Sequence, residues 1–225
     1  MKSFFKQILT DSAFLSLCFM ALMFSSCDDH RDFPDTSTKI CDILCTDGKV
    51  VTQSQFDKGG KEAIAVVYYV NHDEEVEGQG FAVYLWDTEE AAFADSLGIK
   101  QGTSASLSAF DGNLNTHALF TSKDMGSPMA STVFDMWRYG QSAYVPSVAQ
   151  MQLLYNVRTQ VNATIARLGG LPIPEDPDEC WYWTSTEVQN QESVKAWLYS
   201  LSTGTYHECP KDQSHKVRPI VTIYQ

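Results

Sequence analysis

The residues that could carry covalent chemistry are scattered along this chain. Ser185 lies in the aromatic segment Trp181–Glu187, and His207 and His215 follow it. A serine, a histidine and an aspartate can form a hydrolase triad, but no Gly-x-Ser-x-Gly turn or comparable signature surrounds Ser185. Carboxylates are plentiful, yet their sequence positions do not pair two of them as a glycosidase acid and base. We therefore predict no catalytic residue and no enzymatic activity.

Metal-ligating residue types are present without a recognisable ligand spacing. The chain contains five histidines and six cysteines, but no C-x-x-C pair and no His/Cys cluster at zinc spacing. Asp73, Glu74, Glu75 and Glu77 lack the alternating oxygen ligands and the fixed glycine of a calcium loop. A solvated acidic turn is the better interpretation. We expect no metal site and no cofactor.

The N-terminus is typical of a bacterial secretion signal. Two lysines lie in the first six residues, and an apolar run at 13–24 is too short to span a bilayer. The sequence Phe24-Ser25-Ser26-Cys27 resembles a lipobox, which predicts a signal peptide at 1–26, lipidation of Cys27 and a flexible tether at 27–40. Asp28-Asp29 resembles the acidic signal of surface-exposed lipoproteins, so we expect a lipid-anchored protein at the outer membrane of a Gram-negative bacterium. A plain secretory signal is the alternative.

Four cysteines remain after the signal peptide and Cys27 are set aside. An even number of cysteines in an oxidising compartment favours disulfides, and three pairings are possible. Cys41 and Cys45 would lie roughly 13 Å apart in an extended stretch, which is too far for a bridge. We prefer a Cys180–Cys209 bridge, because it would close the loop-rich C-terminal part. Free buried thiols are the alternative, and the pairing of Cys41 and Cys45 stays open.

Charge and composition narrow the classes of partner. The formal net charge is -12, which argues against nucleic acid and against polybasic membrane binding. With 44% hydrophobic and 12% aromatic residues the chain can build a core, and residues 41–225 are long enough for one domain.

Residue patterns predict an α+β domain with antiparallel sheets, two helices and a long loop region. The first helix begins after Ser127 and ends near Gly140; the second carries a capping-box pattern at Ser147 and Gln150 and ends at Gly169. We expect the last strand to lie beside an early one, and residues 181–185 and 217–224 to share a sheet system. The loop region covers 87–126, and the predicted strands are 42–51, 63–70, 81–86, 181–185, 195–202, 205–208 and 217–224.

Several short segments form a pattern: Tyr144-Val145-Pro146-Ser147, 182–187, Ala196-Trp197, Gly204 and Lys216-Val217-Arg218. Together they resemble the Lcl C-terminal-like domain family of bacterial surface proteins. Val145 replaces the usual leucine of that pattern, and Gln150-Met151 replaces Glu-Leu. The resemblance implies a C-type-lectin-like fold and a surface binding role. The tripeptides of calcium-dependent sugar sites do not occur here, and the copper-binding cysteine pair of formylglycine-generating enzymes fits Cys180 and Cys209 less well than a disulfide does.

The predicted function is therefore a binding or adhesion module for a glycan or a protein, anchored to the membrane through its lipid. The alternative is a structural subunit of a surface appendage or capture complex, and a hydrolase or formylglycine-generating type of enzyme is less favoured. Loops at 87–126, 171–180 and 187–192 would build the site, whereas Trp183 and Trp197 are interpreted as core residues. The candidate ligand-binding residues are Trp181, Asn113, Asn115, Glu187 and Asn190.

Overall fold

The structure is a computed structural model that describes residues 37–72, 78–136 and 143–224. The predicted signal peptide, Cys27 and most of the predicted tether lie outside these described residues. In chain order the described elements are β1 (Ile43–Cys45), β2 (Val50–Val51), α1 (Gln53–Phe56), β3 (Ala63–Val70), β4 (Gly80–Tyr84), β5 (Ala91–Ala92), α2 (Gly112–Thr121), α3 (Pro128–Asp135), α4 (Val148–Arg167), β6 (Trp181–Glu187), β7 (Lys195–Ser200), β8 (Tyr206–Pro210), β9 (Ser214–His215) and β10 (Ile220–Ile223).

A five-stranded antiparallel sheet forms the centre, in the order β10-β4-β3-β1-β2. The C-terminal strand β10 pairs with β4, with Val221 opposite Ala82, which confirms that the last strand lies beside an early one. The strand is shorter than predicted because Pro219 has no N–H to add to a ladder. Instead, the carbonyl of Pro219 accepts a hydrogen bond from the backbone N–H of Tyr84.

Strands β6, β7 and β8 form a separate three-stranded antiparallel sheet, and β5 pairs with β9. The prediction that residues 181–185 and 217–224 share a sheet is therefore wrong. On the side of β10 that does not pair with β4, Ile220 forms an isolated antiparallel bridge with Tyr144. Strand β6 therefore does not pair with β10 at this position. An isolated parallel bridge between Tyr182 and Lys216 joins β6 to the segment between β9 and β10.

The longest helix, α4, forms as the sequence predicts. The Ser147 side chain accepts from the backbone N–H of Gln150, and the Gln150 side chain accepts from the backbone of Ser147, which completes the capping box. One face of α4 packs on β3, and each large apolar side chain buried there stabilises the fold by about 1.5–3 kcal/mol. The buried apolar residues of this face are Val148, Met151, Leu154, Val161 and Ile165.

The described residues contain four helices, whereas the sequence predicts two. Helix α2 lies inside the predicted loop 87–126, and α1 is a single capped turn. In α2 the polar Asn115 and Thr116 are buried, while Leu114 is 69% exposed. The helix therefore has no apolar stripe at a spacing of 3.6 residues, which is the signal that sequence reasoning uses. The predicted end of α3 at Gly140 lies outside the described residues.

Strand β3 is buried on both faces, as its unbroken apolar sequence predicts. Val66 and Tyr68 belong to the core cluster that contains the apolar face of α4. Ala65 and Val67 point the other way, into a second cluster that contains Trp183. The sheet thus separates a helical layer from a layer that includes the irregular segment around β5 and α3.

Trp183 should be a major stabilising residue. Its side chain is 0% exposed, packs edge to face with Phe93, and donates from Nε1 to the Ala91 carbonyl at 3.1 Å. We expect Trp183→Ala to lower the free energy of unfolding by about 3–5 kcal/mol, measured by denaturant titration. The matched control is Trp86→Ala, whose ring is 45% exposed and which should change that value by about 0.5 kcal/mol or less. Equal effects of the two substitutions would contradict this assignment.

Candidate functional site

Asn115, a predicted ligand-binding residue, is a structural residue in the fold. Its side chain is 3% exposed, accepts from the backbone N–H of Ser104 at 2.9 Å and donates to Asp111 and to the Ser185 hydroxyl. These bonds fasten the segment before α2 to strand β6. Because its donors and acceptor are used within the protein, Asn115 does not present them to a ligand.

Glu187, another predicted ligand-binding residue, forms a buried ion pair with Lys211 at 2.7 Å, with the two side chains 1% and 0% exposed. The Lys211 ammonium also donates to the Glu192 carbonyl and lies 4.9 Å from the centre of the Phe93 ring. Burial lowers the pKa of Lys211, and the hydrogen bond to Glu187 opposes that shift. The pair joins the end of β6 to the segment after β8, so Glu187 is not available to a ligand.

The remaining predicted residues do not converge on one site. Asn190 is exposed in the turn after β6, with φ +66°, and Asn113 is half-buried on α2. Trp181 begins β6 and Glu187 ends it, which places them roughly 20 Å apart along an extended strand. A small ligand cannot contact both ends, so the predicted set is not a single site.

All four cysteines of the described residues are free thiols. The Cys180 Sγ lies 3.0 Å from the Ser200 hydroxyl, at one end of β7, whereas Cys209 pairs with Ala196 at the other end. Four residues of strand separate these positions by roughly 13 Å, well beyond the reach of a disulfide. The structure therefore does not support the predicted Cys180–Cys209 bridge; register, which sequence spacing does not reveal, keeps the thiols apart.

Among the described residues, the Cys209 thiol and the His215 imidazole most nearly resemble a catalytic nucleophile with its general base. Sγ and Nε2 are 3.6 Å apart. Burial raises the pKa of Cys209 to about 11 and lowers the pKa of His215, so both groups are neutral near pH 7. A neutral thiol is a poor nucleophile, and the pair is best described as a core hydrogen bond. Within the described residues no group of three or more His, Cys, Asp or Glu side chains could hold a metal ion.

The small sheet β6-β7-β8 has two different faces. On one face Trp183 packs against Phe93 and His215, and Trp181 lies 4.3 Å from the ring of His207. Most of this face is covered by the second core cluster. Because side chains alternate along a strand, Trp197 and Tyr199 of β7 point to the opposite face.

That opposite face carries Trp197, Tyr199 and Tyr206, and Tyr155 of α4 packs against the core cluster that contains Tyr199; we call these four residues the aromatic surface. The rings of Trp197 and Tyr206 meet at 87° with centres 5.2 Å apart, which gives a right-angled corner. Tyr206 also stacks on Tyr199 at an interplanar angle of 20°, and is 42% exposed. One side of the Tyr206 ring is thus supported from within, while part of the ring faces solvent.

Helix α4 and the turn after β7 hold this surface in place. The Tyr155 ring lies against Gly204, where an added Cβ would come within 2.6 Å of it, and the positive φ of +71° also favours glycine there. The Arg158 guanidinium lies 5.6 Å from the centre of the Tyr155 ring and donates to the Leu201 carbonyl. A side chain at position 204 would therefore clash with Tyr155. This gives a steric reason for the glycine at a position that matches the Lcl C-terminal-like pattern.

Two polar atoms of the aromatic surface have no hydrogen-bond partner among the described residues. They are Trp197 Nε1 and Tyr199 Oη, and both are buried. Burial raises the pKa of Tyr199, so its hydroxyl keeps the proton and can donate. An unpaired buried donor costs about 1–3 kcal/mol, so each such atom in a native structure calls for an explanation.

A polar rim borders the corner on the side of β8. Glu208 lies directly opposite Trp197 in the register, and its carboxylate accepts from Lys195 at 2.8 Å and from Gln191 at 3.3 Å. The hydrogen bond from Lys195 lowers the pKa of Glu208, which is therefore ionised at neutral pH. The arrangement combines aromatic surface, two buried unpaired polar groups and a carboxylate within one small area.

Sequence reasoning missed this surface because no local signal distinguishes Tyr206. The interpretation of Trp197 as a core residue agrees with its packing against the cluster that contains Tyr199. The alternation in Lys195-Ala196-Trp197-Leu198-Tyr199 does place Trp197 and Tyr199 on one face. What the sequence does not reveal is the β7–β8 register, which brings Tyr206 to Tyr199 and Glu208 to Trp197.

No protein-family model matches the chain, and a search of curated proteins finds no match. The resemblance to the Lcl C-terminal-like family therefore stays a prediction, as do the signal peptide and the lipid anchor.

The buried ion pair gives a direct test of the framework behind the site. Lys211→Met leaves the Glu187 carboxylate buried without its partner, and we expect the free energy of unfolding to fall by about 3–5 kcal/mol. The double variant Lys211→Met/Glu187→Leu removes both charges and should recover most of that loss. Denaturant titrations of the three proteins measure this difference. A single variant as stable as the wild type would show that the pair does not anchor the fold.

Proposed function

We propose that this protein is a surface-anchored binding or adhesion module whose glycan or protein ligand contacts the aromatic surface. The observation that carries the proposal is the right-angled corner of Trp197 and Tyr206, which combines exposed aromatic area with an unpaired donor. Trp, Tyr and Arg side chains dominate binding energy at interfaces, because they supply large contact area with little loss of conformational entropy. Here Trp197 and Tyr206 occur together, and Arg158 of α4 lies over the Tyr155 ring that packs beside them.

The preorganisation of the corner supports the same proposal. Trp197 belongs to the central strand of its sheet, and Tyr206 pairs with Tyr199 on the neighbouring strand. Ring positions that are fixed before binding reduce the entropy that a ligand must overcome. A surface built on strands and supported by a long helix is more rigid than one built from loops.

For the fold we propose the C-type-lectin-like arrangement that the family resemblance implies. The structure itself has an α+β architecture with antiparallel sheets. In support, the matching segments meet in space, since the backbone N–H of Ser185 donates to the Pro146 carbonyl at 2.8 Å and that of Trp183 to the Lys216 carbonyl at 2.9 Å. These motifs then encode a junction between the two sheets and α4.

A second candidate, a structural subunit of a surface assembly, is favoured by a different observation. Helix α2 exposes Leu114 at 69% and Phe120 at 47% of their surface. Exposed large apolar side chains on one short helix are typical of a surface that contacts another protein. Isolation of a stable complex that is lost in Leu114→Ser would favour this candidate over the first.

The proposed lipid anchor is tested by fractionation. Cys27→Ala in the full chain should move the protein from the membrane fraction to the soluble periplasmic or extracellular fraction, because no acyl chains can be attached. Cys18→Ala, within the proposed signal peptide, is the matched control and should leave fractionation unchanged. Among the described residues no helix has the length and apolar content to cross a membrane. Unchanged fractionation of Cys27→Ala would remove the anchor from the proposal.

The proposed binding function is tested with the mature chain carrying Cys27→Ser. We expect it to bind members of a glycan array or an array of extracellular proteins, with signal lost in Tyr206→Ala and kept in the exposed control Trp86→Ala. A parallel incubation with a chelator shows whether a divalent cation contributes. Binding that is equal in Tyr206→Ala and the wild type would reject the aromatic surface as the site.

A further inference from the structure

We propose that the aromatic surface recognises an extended, proline-rich peptide segment with a cationic flank. This inference rests on the proposed function and specifies the ligand class of the same site. It follows from three properties of the described residues: the geometry of two rings, the unpaired indole donor, and the carboxylate beside them.

The geometry fits a polyproline II helix. Trp197 and Tyr206 come from neighbouring antiparallel strands and meet at a right angle. Aromatic-lined surfaces of this kind bind proline-rich segments, because the proline ring is flat, apolar and already fixed in conformation. A proline placed in the corner would contact the face of one ring and the edge of the other.

The unpaired donor fits the backbone of such a segment. A polyproline II helix has no internal hydrogen bonds, so its carbonyl oxygens need external donors. Trp197 Nε1 is a donor only and has no acceptor among the described residues. This atom is buried, so binding requires a local side-chain adjustment that exposes it, and such adjustments are common at interfaces.

The charge fits a basic flank on the peptide. Glu208 lies opposite Trp197 and is ionised, and its partner Lys195 is about as exposed as Glu208, with side chains 34% and 37% accessible. An exposed ion pair of this kind is weak, so an arginine of a ligand can share the carboxylate. The net charge of -12 also favours the approach of a cationic peptide.

The test uses the mature chain carrying Cys27→Ser and a synthetic peptide of five consecutive prolines between two arginines. Binding is measured by calorimetry and by tryptophan fluorescence, with a glycine-serine peptide between two arginines as the ligand control. We expect saturable binding of the proline peptide alone. Trp197→Phe keeps a ring but removes the N–H, and should weaken binding roughly 10-fold. Tyr206→Ala should abolish it, and Trp86→Phe should leave it unchanged.

The contribution of Glu208 is separated by the charge of the ligand. Glu208→Gln should weaken binding of the arginine-flanked peptide and leave a serine-flanked proline peptide unaffected. Each variant is first compared with the wild type in its unfolding midpoint, and Tyr206→Ala, at an exposed ring, provides the test if Trp197→Phe does not fold.

The outcomes distinguish this inference from the proposed function. No binding of the proline peptide, together with glycan or folded-protein binding that Tyr206→Ala abolishes, overturns the inference and leaves the proposed function standing. Proline-peptide binding that survives both Tyr206→Ala and Trp197→Phe also overturns it. Array binding that is insensitive to Tyr206→Ala rejects the aromatic surface for any ligand, and the inference falls with it.

Discussion

The ion pair between Lys211 and Glu187 is the constraint on which the arrangement around the small sheet depends. It joins the end of β6 to the segment after β8 across the middle strand β7, and neither side chain reaches solvent. The backbone continues this connection, because the Ala94 N–H donates to the Lys211 carbonyl and the Gly98 N–H to the Ser193 carbonyl. A long irregular segment is thereby fixed to one face of the sheet at several points.

A second buried ion pair performs the same task at the other end of that segment. Arg218 and Asp87 lie 3.0 Å apart, with side chains 0% and 4% exposed. Burial raises the pKa of Asp87, while Arg218 and the Tyr182 hydroxyl oppose the shift. Arg218 also donates to the Leu171 carbonyl. Buried pairs of this kind add little net stability, but removal of one partner is strongly destabilising, so they act mainly to specify one arrangement.

The two faces of the small sheet are covered by different parts of the chain. The irregular segment and its polar anchors cover the face that contains Trp183. Tyr206, Trp197 and the rim at Glu208 remain on the other face, supported by Tyr155 and Arg158 of α4. Residues predicted to bind a ligand, such as Asn115 and Glu187, instead hold the segment that covers the Trp183 face.

The sequence by itself determined the elements whose signals are local. The capping box of Ser147 and Gln150, the two-faced apolar run of β3 and the aromatic strand β6 each follow from neighbouring residues, and so does the α+β class. Tertiary structure decided what depends on partners distant in the chain. The burial of Asn115 and Glu187, the separation of Cys180 from Cys209, and the meeting of Trp197 with Tyr206 all require a strand register or an ion pair between residues far apart in sequence. A polar residue looks the same in sequence whether it faces water or a buried partner, because only the fold supplies that partner.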